Sequence, residues 1–171
     1  TARGFVPAPQ INAGRLEDAV GGGVSQIATT VFNAAFFAGL RIVTHTPHEF
    51  WISRYPPGRE ATVSWGGPEL IVRNDWPAAV LLKVRATTTG VRVRMYSSRL
   101  GRRVVSETQG TARAGVGFSI GYTRRVLAGG VVRRDERYRW SYRAPPRKTS
   151  NACLRTKWPS WPDSRRWRVQ L

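Results

Sequence analysis

Gly21-Gly22-Gly23-Val24-Ser25-Gln26-Ile27-Ala28-Thr29-Thr30-Val31-Phe32-Asn33-Ala34-Ala35-Phe36-Phe37-Ala38-Gly39-Leu40 is the stretch on which the fold turns. Ile27, Val31, Ala34, Ala35 and Ala38 keep a helical period, and Phe32, Phe36 and Phe37 spread apolar surface around most of the circumference. The pattern predicts a helix over Val24 to Ala38, buried on several sides, with Gly39 ending it in a left-handed cap. Val31 and the aromatics lower helix propensity, so burial must hold the helix. At its head, three glycines before a small hydroxyl residue can aim backbone N–H groups at one point. Gly21, Gly22, Gly23 and Gln26 are therefore candidate positions for binding an anion or an oxyanion. Ser25 reads in two ways: as a nucleophile at the mouth of that turn, or as the helix N-cap.

Before the helix, Thr1 to Asn12 carries Pro7 and Pro9 and reads as extended chain, and Asn12-Ala13-Gly14 as a turn. After Leu40 the apolar period changes to two. Arg41 to His45, Phe50 to Arg54, Ala61 to Trp65 and Glu69 to Arg73 read as strands, separated by Tyr55-Pro56-Pro57-Gly58 and Gly66-Gly67-Pro68. Ala79 to Ala86 and Val91 to Tyr96 read as a hairpin, and Gly117 to Val126 with Val131 to Tyr142 as a longer one. Along its second arm Arg133, Asp135, Arg137 and Arg139 alternate with Arg134, Glu136, Tyr138 and Trp140, the pattern of a solvated cationic face. From Pro145 onward Trp158, Trp161, Trp167 and many Arg follow neither period, so disorder or a poorly constrained tail is expected. The predicted class is α+β: one largely buried helix packed on a mainly antiparallel sheet, followed by a basic β-hairpin and a disordered tail. The expected division is 1–98, 99–144 and 145–171.

The 171 residues carry 28 Lys and Arg against 10 Asp and Glu, a formal charge of +18. Residues 1–98 hold ten basic and six acidic side chains; residues 99–171 hold eighteen basic and four acidic. The second segment thus carries most of the excess and favours polyanions such as nucleic acid, anionic headgroups or acidic wall polymers. A lone Cys153 excludes an internal disulfide framework and a cysteine-built zinc site. No apolar stretch reaches the length of a spanning helix. A chain opening on Thr1 reads as a fragment or processed product, so any membrane association is expected only through an upstream segment.

Chemistry can rest on few residues. His45 and His48 are the only histidines, and no third ligand is fixed near them, so no metal site is predicted. Glu60 follows His48 by twelve positions. A hydroxyl at a helix head, then an imidazole, then a carboxylate is the order of nucleophile, base and orienting group, which makes Ser25, His48 and Glu60 the candidate catalytic set. Each also has a structural reading: His48 as a histidine bonded to backbone, Glu60 as the partner of Arg59 or Arg54.

Gly21 to Ala35, Pro47-His48-Glu49-Phe50, Tyr55-Pro56-Pro57-Gly58-Arg59-Glu60-Ala61-Thr62-Val63 and Gly66-Gly67-Pro68 resemble, in order, the signature of the VanW-like family. The resemblance covers about Phe5 to Ser98. It implies an envelope address, often with an upstream anchor, and a link by family name to vancomycin resistance; it implies no established reaction. Many members carry Cys at the position of Ser25 and Asp at that of Glu60, and a thiolate is the better nucleophile near neutral pH. Three readings follow. The first is an envelope protein that binds or modifies peptidoglycan through Ser25, His48 and Glu60. The second is a non-catalytic wall-binding module, in which the glycine loop and Arg59 hold a carboxylate. The third is a nucleic-acid binder using the basic segment, ranked last because no readable nucleic-acid motif is present. No cofactor is expected in any of them, and the expected partner is peptidoglycan or an anionic wall polymer.

Overall fold

The computed structural model describes residues 4, 7–12, 15–87 and 90–145. Strands β1 (Pro7–Asn12) and β2 (Arg15–Val20) pair antiparallel and lead into α1 (Val24–Phe37). Then come β3 (Arg41–Thr44), β4 (Ile71–Arg73), β5 (Leu81–Thr87), β6 (Gly90–Tyr96), β7 (Arg102–Gln109), β8 (Phe118–Ala128) and β9 (Val131–Tyr142). All pairing is antiparallel, in four small sheets ordered β1-β2, β3-β4, β5-β6 and β7-β8-β9. The α+β class read from the sequence is the class observed. The tail expected to be disordered lies, but for Pro145, outside the described residues, as do Cys153 and the Ala13-Gly14 part of the predicted turn.

Helix α1 is wrapped on two sides. Ala28, Phe32 and Phe36 pack with Ala61 and Tyr122; Ala34, Ala35 and Ala38 pack with Leu40 and Met95. Ile27, expected in the buried stripe, is exposed. The end of the helix follows expectation. Gly39 takes φ 74° and donates to the Phe36 carbonyl at 3.3 Å, while Leu40 donates to Ala35 at 3.1 Å, a Schellman closure.

What completes that end was not foreseen. Arg124 on β8 donates from Nε and Nη2 to the Phe36 carbonyl at 3.0 and 2.7 Å and from Nη2 to Leu40 at 2.8 Å. Arg102 on β7 reaches the Ala38 carbonyl at 3.3 Å, and Arg134 on β9 and the Trp76 indole both donate to Gly39. Guanidinium groups placed on orphan carbonyls satisfy acceptors and oppose the negative end of the helix dipole. Arg102 and Arg124 are fully buried, so part of the basic segment's charge is spent inside the fold.

Three sequence expectations need correction. Phe50 to Arg54 and Ala61 to Trp65 are not strands, because their backbone groups bond side chains and isolated carbonyls instead of a ladder. Ala61 N–H donates to Thr29 Oγ1 at 3.0 Å and Thr62 N–H to the Thr46 carbonyl at 2.8 Å. The region 99–144 forms a three-stranded sheet: β7, whose Arg102-Arg103-Val104-Val105 start hides any alternation, pairs with β8 along its length. The segment read as extended chain ahead of the helix is extended over Pro7–Asn12, as strand β1 paired with β2. Finally, Ser25 is not the N-cap. That position is Gly23, left-handed at φ 85° and without a side-chain cap, and Ser25 sits in the first turn.

Candidate functional site

The site assembles from a tight turn, a loop and the end of a distant strand. Pro56-Pro57-Gly58 turns the chain so that Arg59 donates back to the Pro56 carbonyl at 3.1 Å. Gly58 takes φ 71°, and a Cβ there would meet Ile120 Cγ2 at 3.0 Å and Tyr122 at 3.1 Å, so the turn requires glycine. The following residues run between two neighbours. On one edge Asn33 Nδ2 of α1 donates to the Arg59 carbonyl at 2.8 Å and Thr29 receives Ala61 N–H; on the other, Thr46 receives Thr62 N–H.

Glu60 is fully buried on this segment and has both carboxylate oxygens engaged. Oε2 pairs with His48 Nδ1 in a short contact, and Oε1 accepts from Tyr142 Oη at 2.5 Å. Tyr142 Oη in turn accepts Gly58 N–H at 2.6 Å, which fixes its own proton on the Glu60 side. Burial pushes the Glu60 carboxyl above its ordinary range, and the His48 and Tyr142 bonds pull it back. Burial and the neighbouring Glu60 raise the Tyr142 phenol far beyond its usual value, so Tyr142 stays a donor. A Glu60 carboxylate at Nδ1 orients the ring and favours a proton on that nitrogen. His48 itself is held three ways: Glu60 at Nδ1, the Tyr55 ring stacked at 5.4 Å, and its carbonyl accepting Trp140 Nε1–H at 2.9 Å.

His48 and Glu60, expected together, are brought together. Ser25 is half-buried on the stripe of α1 that carries Thr29 and Asn33, the two side chains that bond the Arg59–Ala61 backbone. Among the described residues its side chain makes no hydrogen bond. The glycines ahead of it answer conformational demands. Gly21 and Gly23 have positive φ, and a Cβ on Gly22 would lie 2.1 Å from the Ala8 carbonyl oxygen. Val24 N–H and Gln26 N–H are occupied by the Gly21 and Gly23 carbonyls at 3.1 and 3.0 Å.

The Arg59 side chain leaves the segment away from Glu60. It is buried over Phe37 and Phe36, at 5.2 and 5.9 Å from the ring centres, and forms no ion pair among the described residues. Burial lowers its pKa. His45 does not join His48: it stacks on Phe32 at 4.4 Å and meets Tyr122 Oη at 3.3 Å. Burial lowers its pKa to about 4. Among the described residues no cluster of three or more His, Cys, Asp or Glu could hold a metal ion, and no helix is long and apolar enough to cross a membrane.

The residues that sequence reasoning missed are Tyr142, Trp140, Tyr55 and Thr29. Tyr142 lies 82 positions from Glu60, and nothing in its strand's alternation marks it as a carboxylate partner.

Comparison with known proteins bears on the first part of the chain. Residues 1–96 match the family described as VanW like protein. The same length is 40% identical over 96 residues to the uncharacterised protein YoaR of Bacillus subtilis strain 168, covering 56% of this chain and 32% of that one. The chain thus spans about a third of the length of that curated relative. No solved structure matches. His48 and Glu60 both fall within the matched residues, whereas Tyr142 falls beyond them. The chain belongs to the VanW-like family.

Proposed function

We propose that this VanW-like domain works in the cell envelope, where it binds peptidoglycan and uses His48 as a general base toward the stem peptide. The observation that supports this is the buried His48–Glu60–Tyr142 relay, in which the carboxylate holds the imidazole at Nδ1. An orienting carboxylate behind an imidazole is what hydrolysis or acyl transfer requires of its base. A buried carboxylate is costly to keep, and its position against a histidine is economical where the histidine has a task. Since Ser25 is not bonded to His48, water or a substrate amine is the simplest nucleophile. A second reading, a non-catalytic wall-binding module, is favoured by that same missing bond.

The test is incubation of purified muropeptides with the protein and its His48→Ala, Glu60→Gln and Ser25→Ala variants, with products followed by mass spectrometry and folding by circular dichroism. General-base catalysis predicts turnover that falls about 10²–10⁴-fold in His48→Ala and Glu60→Gln. Unchanged turnover in Ser25→Ala identifies water or an amine as the nucleophile. Binding without turnover in every form leaves the module.

A further inference from the structure

The β5–β6 hairpin has two faces and one open edge that the site does not use. Lys83 stands directly opposite Arg94 and Arg85 opposite Arg92, so these four exposed cations share one face. Among the described residues none of the four forms an ion pair. Like charges directly across a ladder destabilise it. Leu82 and Val84 alternate onto the other face. There their partners on β6, Met95 and Val93, belong to the cluster around Ala34, Ala35 and Ala38 of α1. Leu82 and Val84 themselves stay 45% and 49% exposed. Every residue of β5 is exposed, and among the described residues the strand pairs only with β6. Its outer edge is therefore open to a further strand.

We infer that the outer edge of β5 takes up an extended peptide strand in which acidic and apolar residues alternate. The cations and the apolar pair lie on opposite faces of β5. A strand added at the edge flanks both faces at once, because its own side chains alternate with the same period. Its acidic residues come beside Lys83 and Arg85, and its apolar residues beside Leu82 and Val84. A bilayer or a soluble polyanion lies against one face and adds nothing to the ladder. The same edge of a second copy would set Lys83 and Arg85 against their own kind. The cations thus oppose self-pairing and favour an acidic partner. The inference is independent of what His48 does.

The experiment is fluorescence anisotropy of the full chain with a labelled peptide of alternating Val and Glu, matched in length to the 7 residues of β5. Hydrogen exchange of the β5 amides is followed in parallel. The comparison ligands are a peptide with Val and Glu in separate blocks, an alternating Val and Lys peptide, polyglutamate and phosphatidylglycerol vesicles. The alternating Val–Glu peptide is expected to bind and to slow exchange along β5, and each comparison ligand to bind about tenfold or more weakly. Lys83→Glu with Arg85→Glu turns both like pairs of the hairpin into opposite pairs, so the fold is kept. Binding of the Val–Glu peptide should then fall about tenfold or more, while that of the Val–Lys peptide rises. Leu82→Ser with Val84→Ser should weaken both. Arg137→Glu with Arg139→Glu makes the same charge change on β9 and should have the smaller effect. Equal losses in the two charge variants would reduce the binding to net charge and overturn the inference. So would the block peptide, polyglutamate or the vesicles binding as well as the alternating peptide. Binding that leaves the β5 amides unprotected, a dimer that the peptide does not displace, or no binding at all would overturn it too.

Discussion

Two hairpins of this protein follow opposite charge rules. On β8–β9, Arg124 stands opposite Glu136 and Arg125 opposite Asp135, with ion pairs at 2.7 and 3.1 Å. On β5–β6, Lys83 and Arg85 stand opposite Arg94 and Arg92. The first hairpin belongs to the sheet that closes the core: Ile120, Tyr122, Arg124 and Val126 alternate into it, and Tyr142 completes the Glu60 site. The second holds α1 with one strand only and turns unmatched charge to solvent. Charge pairing in a strand register therefore separates a hairpin whose charges support its own ladder from one whose charges oppose it.

The largest effect is expected at Arg124. Arg124→Met removes the guanidinium donors from the Phe36 and Leu40 carbonyls and leaves Glu136 without its partner, so we expect a loss of about 3–5 kcal/mol in urea unfolding. Arg124→Lys should recover little, since one ammonium cannot reproduce the fork. Next is acid. His45 is held neutral among Phe32, Tyr122 and Tyr138, with a folded pKa of about 4 against 6.5 free. A depressed folded value means its stabilising contribution is complete above pH 6.5 and lost as pH falls toward 4, up to about 3 kcal/mol. Thermal unfolding across that window should show a slope that His45→Gln removes. Tyr142→Phe deletes the acceptor for Gly58 N–H and the donor to Glu60, and about 1–3 kcal/mol should go with them. Smaller and opposite in sign, Lys83→Glu should stabilise the fold by about 0.2–1 kcal/mol by matching Arg94. Arg125→Ala, at an exposed pair, should cost less than about 1 kcal/mol, marking the floor for the β8–β9 pairs.

These contrasts also explain what could be read without coordinates. Apolar period revealed α1 and both hairpins, because α1, β6 and β8 each turn a regular set of side chains inward. It failed at β7, where the inward residue at the start is Arg102, and at Ala61 to Trp65, where Thr29 takes the place of a partner strand. The order of motifs brought out His48 and Glu60. It gave Ser25 the same standing, and among the described residues Ser25 makes no hydrogen bond to His48. The Arg-rich strands read as solvated, since composition does not distinguish an arginine facing water from one capping a helix.

One consequence follows from the arginines at the helix end. The family match ends at Tyr96, but the hydrogen bonding does not. A fragment trimmed at that border would keep every recognisable motif while stripping α1 of its guanidinium donors and Glu60 of one of its two ligands. Expression boundaries for this protein, and any attempt to graft its signature onto another scaffold, should therefore be drawn beyond Arg143, where the last bond back to Glu49 is made.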